Sequence, residues 1–147
     1  MKIKNKIEGC EKAIDFILSE ISNYNTTDLT VTLLNVNCDV HKGYCEYPVQ
    51  KRKGLDYRIT AGINPNLNYC VRVRYFIGTK QWTGATKGFS WIEQDTNLKD
   101  CNENLIWIFF HELWHFLCHS KQKKGNYQTK ANVFGFDMLE KYRNYYE

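Results

Sequence analysis

Proline is nearly absent from this chain: Pro48 and Pro65 are the only two in 147 residues. With aromatic residues at 15% and hydrophobic residues at 43%, so little proline excludes a proline-rich or disordered polymer and predicts a packed globular chain. Long apolar runs are missing as well. No stretch approaches the roughly eighteen residues that a membrane-spanning helix needs, so none is expected. The N-terminal stretch MKIKNKIEGCEKAIDFIL opens on basic residues, but Glu8, Glu11, Lys12 and Asp15 interrupt the uncharged core that a signal peptide requires. The expected location is therefore cytoplasmic, where six cysteines stand as reduced thiols or metal ligands rather than as a disulfide framework.

Strong charge of one sign is lacking too. A formal net charge of +4 is mild, and the basic clusters Lys51-Arg52-Lys53 and Lys121 to Lys124 read as solvated loops, so a nucleic-acid partner is left open without being indicated. A length of 147 residues predicts a single domain covering 1–147, large enough to bury a core without staples.

Histidine is scarce and unevenly placed: of four in the chain, His111, His115 and His119 fall in one short segment. The stretch Asn104 to Leu117, NLIWIFFHELWHFL, holds His111, Glu112 and His115 in the spacing His-Glu-x-x-His. On an α-helix two residues four apart differ by about 40° around the axis and about one turn along it, so both imidazoles can grip one ion. Glu112, about 100° round from His111, can stand beside that ion and take a proton from a water that zinc has made acidic. Leu105, Ile108, Phe109, Leu113, Phe116 and Leu117 make the helix strongly apolar, which places the polar trio inside the fold. Asp100 followed by Glu103 predicts a capping box at its start. Two partly buried histidines bonded to neighbouring backbone, with Glu112 exposed or in an ion pair, would be the unreactive alternative.

The rest of the chain predicts an α+β domain. Ile7, Cys10, Ile14, Ile17, Leu18 and Ile21 recur at helical spacing, giving an amphipathic helix over about 6–23 that would cover a sheet. Leu29 to Val36 is rich in β-branched residues and reads as a strand. Cys38, His41 and Cys45 have spacings that could hold a metal, against a turn carrying ordinary thiols. Leu55 to Ala61 alternates as a strand, as does Tyr69 to Ile77, with Val71, Val73, Tyr75 and Ile77 on one face and Arg72 and Arg74 on the other. Gly78 to Gly88, with Trp82, reads as a loop, and Phe89 to Glu93 as a further strand in a small, mostly antiparallel sheet. Gly125 and Asn126 are expected to end the motif helix, and a last helix runs from Tyr127 to about Tyr145. On it Gln128, Ala131, Gly135, Leu139 and Tyr142 share one face, small enough at two positions for close helix packing.

A catalytic zinc ordinarily has three protein ligands and one open position. His119 lies about 6 Å beyond His115 on an unbroken helix and reads as a cleft residue. Asp137 and Glu140 turn away from the face that carries Gln128, so the third donor with the right direction is Gln128, an amide where a carboxylate would bind more tightly.

With the helices in this order, HELWHFLCH followed by QTKANVFGFDML resembles the ImmA/IrrE metallopeptidases of mobile elements and stress responses. In that family the motif helix is followed by Glu-x-x-Ala-Asn-x-Phe-Ala, and its Glu is the third zinc ligand. Ala131, Asn132 and Phe134 match, and Gln128 occupies the position of that Glu. The resemblance covers residues 104–140 in motif and the rest in element order. It implies a minimal zincin-like fold, Zn2+ held by His111 and His115, Glu112 as general base, and a repressor-like protein as substrate.

Two functional expectations follow. The first is a zinc endopeptidase acting on a protein or peptide laid along Tyr69 to Ile77, with His119 and Tyr127 as candidate donors to the developing negative charge. The second is a catalytically weakened zincin-fold binding protein whose Arg72 and Arg74 face engages a protein or nucleic-acid partner.

Overall fold

The structure, a computed structural model, describes residues 1–48, 56–81 and 88–146. The basic loop at Lys51 to Gly54, Leu55 and Trp82 lie outside the described residues. The elements in chain order are β1 (Lys2–Asn5), α1 (Glu11–Ile21), β2 (Leu29–Asn35), β3 (His41–Glu46), β4 (Tyr57–Ile63), β5 (Val71–Gln81), β6 (Phe89–Leu98), α2 (Cys101–His119) and α3 (Gln128–Tyr146).

The fold is α+β, as expected. Antiparallel pairing joins β3 to β4 and β5 to β6, but β1–β2 and β2–β4 run parallel, giving a mixed four-stranded sheet ordered β1-β2-β4-β3 and a separate β5–β6 ribbon. The mostly antiparallel sheet expected from sequence is corrected to that extent. A parallel pair needs a long crossover between its strands, and α1 supplies it between β1 and β2. Leu29, Val31 and Leu33 point from β2 into the core, with Ile59, Ala61 and Ile63 beside them on β4.

Helix α2 is the axis of the domain. It is buried on nearly every side and touches α1, α3, β3, β4 and β6. The capping expectation holds: Asp100 Oδ1 accepts from the Glu103 N–H at 2.9 Å, while Glu103 Oε1 accepts from the Lys99 N–H at 2.8 Å. Arg143, from the far end of α3, bonds both Glu103 oxygens at 2.8 Å, tying the first turn of α2 to the last turn of α3.

Helix α1 is shorter than its hydrophobic period suggested. Gly9 sits at φ +83°, a left-handed conformation that ends any helix trying to extend backward, and the Ala13 N–H is capped by Asn102 Oδ1 of α2 at 3.0 Å. It packs against α2 and α3: Phe16 meets Phe110 edge-on at 5.9 Å and Tyr142 of α3 at 5.4 Å.

The motif helix ends earlier than Gly125. Lys121 takes the left-handed conformation at φ +65°, its N–H bonds Cys118 O at 3.1 Å, and the Gln122 N–H bonds Leu117 O at 2.8 Å. That is a Schellman closure with lysine where glycine is usual. Gly125, at φ +97°, instead shapes the loop before α3, where its carbonyl accepts from Trp114 Nε1 at 2.9 Å. Among the described residues no helix is long and apolar enough to cross a membrane.

Candidate metal centre

His111 and His115 come together as their spacing predicted. Their ring centroids are 5.2 Å apart with the planes at 71°, one turn of α2 separating them. His111 is 8% exposed and Glu112 7%, so both are buried, while His115 is half-buried. Burial, then the neighbouring His115, lowers the His111 pKa to about 4, which leaves the imidazole neutral and its lone pair available over the physiological range. Burial raises the Glu112 carboxyl to about 7, with His115 pulling it back down. A carboxyl near neutrality can both take and return a proton. Glu112 Oε1 stands 4.0 Å from His111 Nε2.

Helix α3 brings Gln128 to this place. Gly135 lets it approach: a Cβ there would lie 2.5 Å from Cζ3 of Trp107. With the helices in contact, the side-chain amides of Gln128 and Asn132 both stand beside the His111 ring and favour its protonated form by hydrogen bonding. Neither makes a well-aligned bond to His111 Nδ1, which is buried and unpartnered, as is Asn132 Oδ1. Asn132 Nδ2 is committed to Phe76 O on β5 at 2.7 Å.

Each of the remaining candidate residues has a definite place. His119 ends α2 with its Nδ1 2.8 Å from the Tyr57 hydroxyl and its ring stacked on Tyr47 at 3.9 Å. The helix does not break at Cys118, so His119 stays with these two tyrosines. Tyr127 is 52% exposed just before α3, with the Lys130 ammonium 5.6 Å from its ring.

The Cys38, His41 and Cys45 set is not brought together as a site. His41 and Cys45 lie at opposite ends of β3, about 13 Å apart at a strand's rise. His41 is half-buried and has a different role: its Nδ1 meets Asn104 Oδ1 at 2.7 Å and its Nε2 meets the Tyr75 hydroxyl at 3.0 Å, joining β3, α2 and β5. Asn104 Nδ2 donates to Val40 O at 3.1 Å, so its oxygen is the acceptor and His41 carries its proton on Nδ1. Among the described residues no group of three or more His, Cys, Asp and Glu side chains is placed to hold a metal. The centre on α2 has two such ligands, and its third donor would be the Gln128 amide.

Two contributors, Gly43 and Asn126, have roles that the sequence does not announce. Gly43 on β3 faces Glu112 and Ile108 so closely that a Cβ would lie 2.7 Å from both. Strand β3, at the edge of the four-stranded sheet among the described residues, is therefore the strand running beside Glu112. In the segment Tyr69 to Ile77, Val73 and Tyr75 pack inward, while Arg72 pairs with Asp95 and Arg74 with Glu93 across the ribbon, neutralising the expected cationic face. Asn126, expected as a helix cap, instead places Oδ1 2.7 Å from His115 Nδ1 and Nδ2 3.0 Å from the Tyr47 hydroxyl. No local pattern in the sequence marks either, because Gly43 meets α2 and Asn126 meets Tyr47 across long stretches of chain.

The donor set fits a borderline-soft divalent ion: two imidazoles one turn apart on α2, a neutral amide beside His111 and a carboxyl in reach. Scans against protein-family models, curated proteins and solved structures found no match for this chain.

Proposed function

We propose that the chain is a small zinc endopeptidase of the ImmA/IrrE kind, with His111, His115 and Gln128 as the residues that would hold Zn2+ and Glu112 as general base. The observation that carries this reading is the trio on α2: buried, neutral His111, half-buried His115 one turn on, and buried Glu112 with its carboxyl raised to about 7 beside them. Zinc, when bound, supplies an electrophile that acidifies water and polarises a carbonyl. The chain's own residues supply the proton traffic. Glu112 takes a proton from the attacking water and returns it to the nitrogen of the leaving amine, a sequence suited to a carboxyl that titrates near the working pH.

An extended protein or peptide would pair along the open edge of β3, where main-chain bonds hold it beside Glu112. Gly43 keeps that strand close. Negative charge growing on the scissile oxygen calls for donors, for which His119 and Tyr127 are candidates. Tyr47 joins them, since its hydroxyl accepts from Asn126 and keeps its own proton to donate. A repressor-like substrate follows from the family resemblance alone, and a cytoplasmic location is part of the same reading.

A second reading, a zincin-fold binding protein without turnover, is favoured by one observation: the third donor is neutral Gln128. Purified wild type and Glu112→Gln, loaded with zinc and offered an unfolded protein substrate, separate the two. Equal zinc content with hydrolysis only in the wild type supports the peptidase. Zinc in both with hydrolysis in neither supports the binder.

A further inference from the structure

We propose that Asn126 and Asn132 are positioning residues that set the tautomer of the two motif imidazoles, each accepting an Nδ1–H and so turning Nε2 toward the same point. The inference rests on the metal-centre reading above and deepens it.

For His111 the assignment is forced from the asparagine side. Asn132 Nδ2 donates to Phe76 O, a carbonyl that can only accept, so Asn132 Oδ1 is the atom left for the ring. That oxygen and His111 Nδ1 are both buried without a partner, in residues 5% and 8% exposed. Asn132 stands within hydrogen-bonding reach of the His111 ring, so an Nδ1–H donated to Oδ1 would meet the desolvation cost that both buried atoms otherwise carry. His111 Nε2 meanwhile faces Glu112 Oε1.

For His115 the same logic runs through β3. Asn126 spends its Nδ2 on the Tyr47 hydroxyl at 3.0 Å, leaving Oδ1 to accept from His115 Nδ1 at 2.7 Å. The reverse amide orientation would require the proton on Nε2 and would remove the lone pair that an ion needs. One asparagine thus ties its imidazole to β5 and the other ties its imidazole to the end of β3. Both partners are neutral amides. Metal-binding histidines often use a carboxylate here, which makes the ring more basic, so this centre fixes ring orientation without adding charge.

Metal-free protein labelled with 15N-histidine, studied at pH 8 by two-bond 1H–15N correlation, reads each tautomer directly. The inference predicts Nδ1–H for His111 and His115 in the wild type, with His115 released from it in Asn126→Ala and His111 in Asn132→Ala. Zinc affinity, measured by competition with a chromophoric chelator, should fall about 10- to 100-fold in each alanine variant. Asn126→Asp, which keeps the acceptor oxygen for the ring and can accept from the Tyr47 hydroxyl, should recover it. If Asn132→Ala fails to fold, the wild-type tautomers and the Asn126 series decide the matter.

An Nε2–H tautomer at either ring of the wild type overturns the inference, as does equal zinc affinity across the variants. A wild type that shows both Nδ1–H tautomers yet takes no zinc leaves the ring orientation standing and removes the hydrolase reading alone.

Discussion

Gly43 on β3 and Glu112 on α2 face each other so closely that a methyl group at position 43 would lie 2.7 Å from the Glu112 carboxylate and equally close to the Ile108 side chain. The strand edge and the candidate general base are thus in contact, and only hydrogen fits between them. Gly43→Ala should displace Glu112, the more movable of the two neighbours, at a stability cost of about 1–3 kcal/mol. Zinc content should be unchanged, because neither histidine is touched, while hydrolysis of an unfolded protein substrate should drop at least about tenfold. Zinc analysis, a urea melt and an activity assay on one preparation check all three. Unimpaired activity would mean that Glu112 does not work from this position.

Gly135 has a similar function between the helices. A Cβ there would lie 2.5 Å and 2.6 Å from two ring carbons of Trp107 and 3.2 Å from its backbone oxygen. The Trp107 ring is packed against Tyr75 and Phe136, so it cannot simply swing aside as the end of a flexible chain would. Gly135→Ala should therefore cost about 1–3 kcal/mol by overpacking and push Gln128 away from His111. Urea unfolding measures the first effect and zinc affinity the second.

The two buried titrating groups pull stability in opposite directions with pH. His111 falls to about 4 in the fold from its ordinary 6.5. Its contribution is present above pH 6.5 and is lost as pH falls through 4. Glu112 rises to about 7 from 4.5. Its contribution is complete below 4.5 and is lost as pH rises through 7. Between these limits the slopes oppose, so the metal-free wild type should be comparatively flat. Metal-free Glu112→Gln loses one slope and keeps the other, and should gain on the order of 1–3 kcal/mol as pH rises from about 4 to 6.5. Urea midpoints at several pH values test this, and a variant as flat as the wild type would contradict it.

Gln128 presents a neutral oxygen where a carboxylate would bind a divalent ion more tightly. Gln128→Glu should raise zinc affinity by about tenfold or more, equal to about 1.4 kcal/mol. Chelator competition measures it, and unchanged affinity would remove Gln128 from the ligand set.

Much of this arrangement was legible from the residues. Helix α2 could be read because cap, apolar faces and motif all lie within one continuous segment, and the small face of α3 could be read from Ala131 and Gly135. Strand β3 could not. Its inward positions are His41, Gly43 and Cys45, chosen for what α2 requires of them, so the β-branched alternation that marks a strand is missing. Parallel pairing of β1 with β2 leaves no local trace either, since β1 offers little beyond Ile3 and its partner lies beyond α1. The end of α2 was misplaced for a related reason: Lys121 holds a left-handed turn that glycine usually signals. Asn126 and Asn132 announce nothing alone, because their meaning comes from the imidazoles they meet.

The claim on which the rest depends is that two imidazoles of α2 and no thiol hold the metal. Zinc-edge X-ray absorption on the zinc-loaded protein reads the ligand set without a substrate. The account predicts only nitrogen and oxygen donors at about 2.0–2.2 Å, with imidazole scattering from two rings and loss of that signal in His111→Ala. Sulfur at about 2.3 Å, or zinc uptake that survives removal of both His111 and His115, would contradict it.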